Sequence, residues 1–451
     1  MGMRFQIDNA CWLGEDAWFH RGTMVIADGR IARLEGRFAS DHPLPAGSAA
    51  GWRWTPAARR IDAGEGFIVP GLVDAHVHLR EPGQAYKEGI ANGTAAALKG
   101  GVTTVLDMPN NRLPITTAGR FERKRALFAR KSRVNYGLFL QAVEGGAKAP
   151  ETAAGVKIFM AKGSALDAIC DAGALERVFR AQDLVVIHAE DEREFFHRVE
   201  KSFPQRGKLV HHLRRPRAAV VAALASIETA WRRTPAKQRP RLVIAHCSTV
   251  EEIDWVARMK RRGADVWAET CPHYFLFSEK DYLAQGSRLQ VNPPLRTGED
   301  RAAIWEAVKN GGIDFVSTDH APHAPAEKAG RNPPSGIAGI EWLGPILLSL
   351  AVRGEISWKR YLELAGRNAA RCFGLEGRGG IRKGAWADLA FAEAGEKAAG
   401  KAAEKIVTRA AFHPFGHFTF SARIRAVMVD GQVAWVDGRV RRGVHGKEVF
   451  Q

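Results

Sequence analysis

Between residues 72 and 317 the chain repeats one pattern eight times: a short apolar, β-branched run, followed in most cases by a stretch of helical spacing. The runs cover 72–78, 102–108, 134–142, 156–160, 184–188, 242–246, 265–269 and 314–317. Helical stretches lie at 94–99, 121–131, 175–181, 216–231, 250–262 and 301–310. Nearly continuous apolar runs suit strands buried on both faces, and strand–helix alternation calls for parallel pairing. Eight such units can close on themselves. The predicted class is therefore α/β, with a (β/α)8 TIM barrel at its centre.

The two ends read differently. Short strand-like pieces at 5–7, 23–27, 30–34 and 67–69 are separated by turns such as Asp28-Gly29. After residue 375 a second set follows at 381–384, 387–391, 424–430, 432–435 and 439–441, with Asp430-Gly431 as a hairpin signal. These ends are expected to pair into a small β-sandwich domain formed by the N- and C-terminal segments. The expected division is 1–70 and 375–451 for that domain and 71–374 for the barrel. The Ala/Lys/Glu-rich stretch 393–405 reads as an exposed insert.

Composition narrows the function classes. No run of 18 or more uncharged apolar residues occurs, so no membrane span is expected. Residues 1–20 lack a basic segment followed by an apolar stretch, so a cytoplasmic location is expected rather than secretion. The five cysteines, Cys11, Cys170, Cys247, Cys271 and Cys372, are far apart and form no CxxC pair, which argues against a disulfide framework or a thiolate zinc site. The formal charge of +17 is spread over scattered arginines without a stacking-aromatic module. That pattern suits steering of a small anionic substrate rather than nucleic-acid binding.

The chemistry concentrates at the carboxyl ends of the strand runs, the rim where barrel enzymes work. In Pro70-Gly-Leu-Val-Asp-Ala-His-Val-His-Leu-Arg-Glu-Pro-Gly83, His76 and His78 are two apart and point together, with Ala75 and Val77 directed into packing. A lone His-x-His is as readily a hydrogen-bonded pair as half of a zinc site. Four other strands add His188, His246, Asp319 and, inside an apolar run, Lys157. Five strands converging on one rim favour a metal centre. For Lys157 two readings stand: an ammonium that snorkels to solvent or pairs with an acid, or a neutral amine that captures carbon dioxide. The other ligands around it favour the resulting carbamate, an anion able to bridge two cations.

These motifs resemble the amidohydrolase superfamily, and within it the dihydroorotases of the class related to allantoinase and dihydropyrimidinase. The resemblance runs from about Val69 to Leu389. Its specific marks are His76-Val-His-Leu-Arg-Glu-Pro-Gly83, Met108-Pro-Asn110, Asn292-Pro-Pro-Leu-Arg296 and Asp319-His-Ala-Pro-His323. It implies two zinc ions: His76, His78 and Asp319 for one, His188 and His246 for the other, with carboxylated Lys157 and a hydroxide bridging them. It implies that Arg80, Asn110 and His323 hold a substrate carboxylate and that Asn292 lies near the ring. His320 and His273 are expected behind the ligands. The chain departs from the family at Asn111, where relatives often have Thr, and at Ala161-Lys-Gly-Ser-Ala165, where they often read Gly-Ser-Ser-Thr-Gly.

The implied reaction is zinc-dependent, reversible cyclisation of N-carbamoyl-L-aspartate to L-dihydroorotate in pyrimidine (UMP) biosynthesis, with Asp319 as catalytic base and then acid. An arginine at Arg80 can grip a carboxylate through paired hydrogen bonds, which favours a carboxylated ring over a neutral hydantoin. The alternatives are an allantoinase- or hydantoinase-type cyclic amide hydrolase and an inactive scaffold for aspartate transcarbamoylase. The expected partners are the small-molecule substrate and a second copy of the chain in a homodimer, with neither nucleic acid nor membrane.

Overall fold

A computed structural model describes residues 4–42, 53–55, 59–64, 66–145, 148–161, 168–193, 211–395 and 405–450. Most of the 161–165 loop and of the 393–405 insert lies outside the described residues.

Eight parallel strands form the central sheet: β7 (Leu72–Val77), β8 (Val102–Asp107), β9 (Asn135–Gln141), β10 (Gly155–Phe159), β11 (Leu184–His188), β12 (Arg241–Ile244), β13 (Val266–Thr270) and β14 (Phe315–Val316). Each pairs with its neighbour in sequence order. A parallel bridge between Val77 and His320 joins the segment after β14 back to β7, and His78 N donates to His320 O at 2.9 Å. The sheet thus closes as a barrel.

Alternation along the strands separates two layers. Val156, Ile158, Val185, Ile187, Leu242 and Ile244 pack outward in the main core with the surrounding helices. Val73, Ala75, Leu106, Phe139, Val186, Val243, Ala245 and Phe315 fill a separate cluster with Ala369, Ala370, Cys372 and Phe373. The short helix Asn368–Phe373 supplies the last four of these side chains. On β10 the inward positions are therefore Lys157 and Phe159, one residue off the outward Val156 and Ile158.

The chain ends form one ten-stranded sheet. Its N-terminal members are β1 (Arg4–Leu13), β2 (Phe19–Ala27), β3 (Arg30–Ser40), β4 (Arg53–Thr55), β5 (Arg60–Asp62) and β6 (Phe67–Pro70). Its C-terminal members are β15 (Leu389–Ala394), β16 (Ala422–Val429), β17 (Gln432–Val436) and β18 (Arg439–Val440). The halves meet where β15 pairs antiparallel with β6. This sheet keeps its own core, including Ile7, Trp12, Met24, Ile26, Ile61, Leu389, Phe391 and Met428.

Two details differ from the sequence expectation. Residues 381–384 form a turn, not a strand: Gly384 is left-handed at φ 86 and its N–H donates to Ile31 O. The last residues also leave the β sheet. Tyr136 N donates to Lys447 O and Val449 N to Tyr136 O, so the tail lies against the start of β9. Phe450 stacks so closely over Gly137 that a Cβ there would lie 2.4 Å from its ring, which is why that position carries no side chain.

Candidate metal centre and substrate pocket

All six predicted ligand positions, one of them a lysine, are buried at or below the barrel mouth. His76, His78 and Asp319 offer ligand atoms within 4.8 Å of one another. Asp319 Oδ1 lies 2.8 Å from His78 Nε2 and 3.6 Å from His76 Nε2. His188 Nδ1 and His246 Nε2 form a second pair 3.0 Å apart, and the His246 ring stands 5.2 Å from that of His76.

Backbone geometry explains how neighbouring residues reach one spot. β7 shifts register between Asp74 and Val77, so Ala75 joins the interior cluster while Val77 joins the outer core. Ala245 already faces inward, and a left-handed turn at His246 (φ 41) carries the next side chain over the same mouth. Asp319 (φ 46) and Arg80 (φ 64) are left-handed too. This conformation costs a non-glycine residue roughly 1–2 kcal/mol, and such strain clusters at functional sites.

Three of the four histidines are oriented from behind. His76 Nδ1 lies 2.9 Å from Glu269 Oε1 and His78 Nδ1 2.6 Å from Asn110 Oδ1. His188 Nε2 lies 3.0 Å from Glu190 Oε2. An oxygen acceptor fixes the imidazole proton on the near nitrogen and leaves the far lone pair for the site. Burial, helped by the charge of Lys157, pushes the proton affinity of His76 well below its usual value; burial does the same at His246 and lowers that of His188. Burial thus favours the neutral ring at all three, the form a metal requires.

Lys157 is fully buried, and among the described residues its Nζ has no hydrogen-bond partner. Burial lowers its ammonium to about 8, against the pull of Glu269 and Asp319. An unpaired buried ammonium is costly, so the snorkelling alternative is excluded by position. A buried lysine nitrogen without a partner, ringed by imidazoles and a carboxylate and made more acidic by burial, fits a group that is modified or bound to a further ligand. The donor set therefore fits divalent metal.

Above the cluster lies a cavity of ≈ 270 Å³ lined by Arg80, Asn110, Phe159, Arg215, Asn292, His323 and Ser335 among others. All four predicted substrate-contact residues are thus on its wall. Arg80 is buried, and its Nε has no hydrogen-bond partner among the described residues. Lys87 Nζ lies 3.1 Å from His323 Nδ1, and His323 Nε2 lies 3.0 Å from Ser335 O. Arg80 Nη2 also lies 3.2 Å from Nε2, so cations face both ring nitrogens, and burial with the charges of Arg80 and Lys87 holds the proton affinity of His323 far below its usual value. His211 Nε2, 2.9 Å from Asn292 Oδ1, fixes the amide of Asn292 by taking its carbonyl. Of the two histidines expected behind the ligands, His320 accepts from Ile340 N at 3.5 Å, and His273 is buried with burial lowering it to about 4.

Several residues escaped the sequence reading. Asp74 and Glu269 are acids inside otherwise apolar strands, a signal that was legible. Glu190, Arg215 and Arg296 form a buried ion cluster behind His188, with Glu190 Oε1 3.1 Å from Arg296. Arg296 closes the Asn292–Arg296 motif, but nothing local shows that it meets Glu190, 106 positions away.

Residues 67–434 match the Amidohydrolase family. The chain is 34% identical over 412 residues to an allantoinase of Rubrobacter xylanophilus, covering 87% of this chain and 89% of the relative. It is 33% identical over 384 residues to a dihydroorotase of Halobacterium salinarum, covering 82% and 85%. Among solved structures, an L-hydantoinase (dihydropyrimidinase) from Arthrobacter aurescens superposes with a TM-score of 0.82 at 23% identity, covering 98% of each chain. No helix among the described residues is long and apolar enough to cross a membrane.

Proposed function

The chain belongs to the amidohydrolase family, and on that premise we propose that it is a dihydroorotase, interconverting N-carbamoyl-L-aspartate and L-dihydroorotate in pyrimidine synthesis. The coarser statement, an enzyme that hydrolyses cyclic amides, follows from the family and its relatives. The observation that carries the finer one is Arg80: a buried guanidinium whose Nε lacks an acceptor, on the wall of the cavity above the histidine–aspartate cluster. A carboxylate on the substrate would supply that acceptor.

In this reading His76, His78 and Asp319 would hold one zinc ion and His188 and His246 a second, and Lys157, as its carbamate, would serve both. When bound, such a pair lowers the pKa of water and polarises the ring carbonyl to be attacked. Asp319 accepts the proton of the attacking water and returns it to the departing ring nitrogen. Its Oδ1 faces the lone-pair Nε2 atoms of His76 and His78 at the cavity floor, a grouping that a shared cation would hold together. Arg80, Asn110 and His323 orient the ring through its carboxylate, and the amide of Asn292, turned by His211, meets the ring edge. We also take the division at residues 70 and 375 as functional, the barrel carrying all the chemistry.

A second reading, allantoin or hydantoin hydrolysis, is favoured by the relative named as an allantoinase. Purified protein loaded with zinc in bicarbonate decides between them. Dihydroorotate turnover with little allantoin or hydantoin turnover is expected, and the reverse preference would overturn the assignment.

A further inference from the structure

Arg80 and Asn110 sit on different loops, after β7 and β8, yet a single carboxylate clamp needs them in a fixed relation. Behind both lies Lys124, on the helix Ala118–Lys131, with no exposed surface. Its Nζ lies 2.5 Å from Asp107 Oδ2 and donates to Met108 O at 2.7 Å and to Asn111 Oδ1 at 3.2 Å. The ammonium therefore has two hydrogen-bond acceptors and one carboxylate as its ion-pair partner.

These partners lead onward. Asp107 Oδ1 accepts from Leu79 N at 2.7 Å, and Asn111 Nδ2 donates to Pro82 O at 3.2 Å. Leu79 and Pro82 bracket Arg80 in sequence; Met108 and Asn111 bracket Asn110. One buried cation thus reaches residues on both sides of both clamp members. Asn111 is suited to this because its amide accepts from Lys124 with one end and donates to Pro82 with the other; a threonine has a single polar atom for both tasks. The left-handed backbone of Arg80 gives such a tie a task, since a strained residue persists only where its surroundings over-determine it.

We propose that Lys124 and Asn111 are positioning residues that lock the Arg80 loop to the Asn110 loop and so set the affinity for the substrate's carboxylate. This rests on the carboxylate-clamp reading above. The bland alternative is that the tie only stabilises the barrel.

The test uses zinc-loaded full-length protein and orotate as a carboxylated probe. Asn111→Asp keeps the acceptor for Lys124 but places an oxygen against Pro82 O. It is expected to weaken orotate binding and raise the KM for dihydroorotate by about tenfold, with kcat and metal content within about twofold of wild type. Lys124→Met is expected to do the same or more; should it fail to fold, Asn111→Asp carries the test. Arg80→Gln is expected to cost less orotate affinity in the Asn111→Asp background than in wild type, because a displaced guanidinium has less to lose. If Arg80→Gln weakens orotate binding and Asn111→Asp changes only the melting temperature, the tie is merely structural and the proposal fails while the clamp stands. If Arg80→Gln leaves orotate binding unchanged, the clamp reading falls and this proposal with it.

Discussion

Asp74 and Thr318 join the first barrel strand to the end of the last: Thr318 Oγ1 donates to Asp74 Oδ2 at 2.5 Å and Thr318 N to Asp74 Oδ1 at 3.0 Å. The pair sits beside two ligand candidates, His76 and Asp319. Burial raises the Asp74 carboxyl to about 7, against the Thr318 hydrogen bonds. Asp74→Ala leaves the Thr318 N–H and hydroxyl unpaired, so we expect a loss of about 2–3 kcal/mol. Asn retains an acceptor and should lose less. Chemical denaturation with a metal count on each variant checks this; equal stability of the two variants would remove the pair from its structural role.

Lys157→Met replaces the proposed bridge with an apolar chain of similar length. Metal content after zinc reconstitution should fall to roughly half or less, since both ions lose a ligand. Reconstitution of the wild type without carbon dioxide should reproduce that loss, and bicarbonate should reverse it. Elemental analysis at full wild-type stoichiometry in Lys157→Met would rule out a bridging carbamate.

Asp319→Ala removes the proposed proton carrier while leaving four histidines and Lys157 in place. Turnover should drop by at least about a hundredfold, within the usual range for a general acid–base group, with zinc largely retained. Activity within tenfold of wild type, measured at equal metal loading, would dismiss Asp319 from that role.

Arg80→Ala should reduce orotate affinity by about 1.5–3 kcal/mol, the range for a hydrogen bond to a charged group. Binding of a neutral ring such as dihydrouracil should change far less. Titration calorimetry with both compounds makes the comparison, and equal losses for the two would argue against carboxylate recognition.

Glu190 supplies an acid-side prediction. Burial would push its carboxyl up, but Arg215, His188 and Arg296 together hold it well below the usual range. Its folded pKa lies below the unfolded value of about 4.3, so its stabilisation is present above that pH and is lost as pH falls through the folded pKa. Glu190→Gln should be less stable by roughly 3 kcal/mol at neutral pH, as expected for a broken buried ion cluster. The gap in melting temperature should narrow in acid. A gap that is constant from about pH 7 to about pH 3 would contradict the linkage.

Much was legible along the chain because barrel strands write their burial into sequence. Both faces of β10 and β11 are covered, so their runs are apolar throughout, and a lysine or histidine within them stands out. Strand-end residues His76, His78, His188, His246 and Asp319 declared themselves by position. The β strands at the two ends were also visible, through turn pairs such as Asp430-Gly431. What no local pattern carried was which partner each supporting residue meets behind the site. Glu269 meets His76 across 193 positions, and Arg296 meets Glu190 across 106. Glu269 stands out within its apolar strand, yet nothing near it in sequence points to His76. Local sequence determined which side chains reach the barrel mouth, because strand alternation and end position are short-range properties. Only closure of the barrel decided their protonation and aim, because hydrogen bonds and burial depend on which distant strands become neighbours.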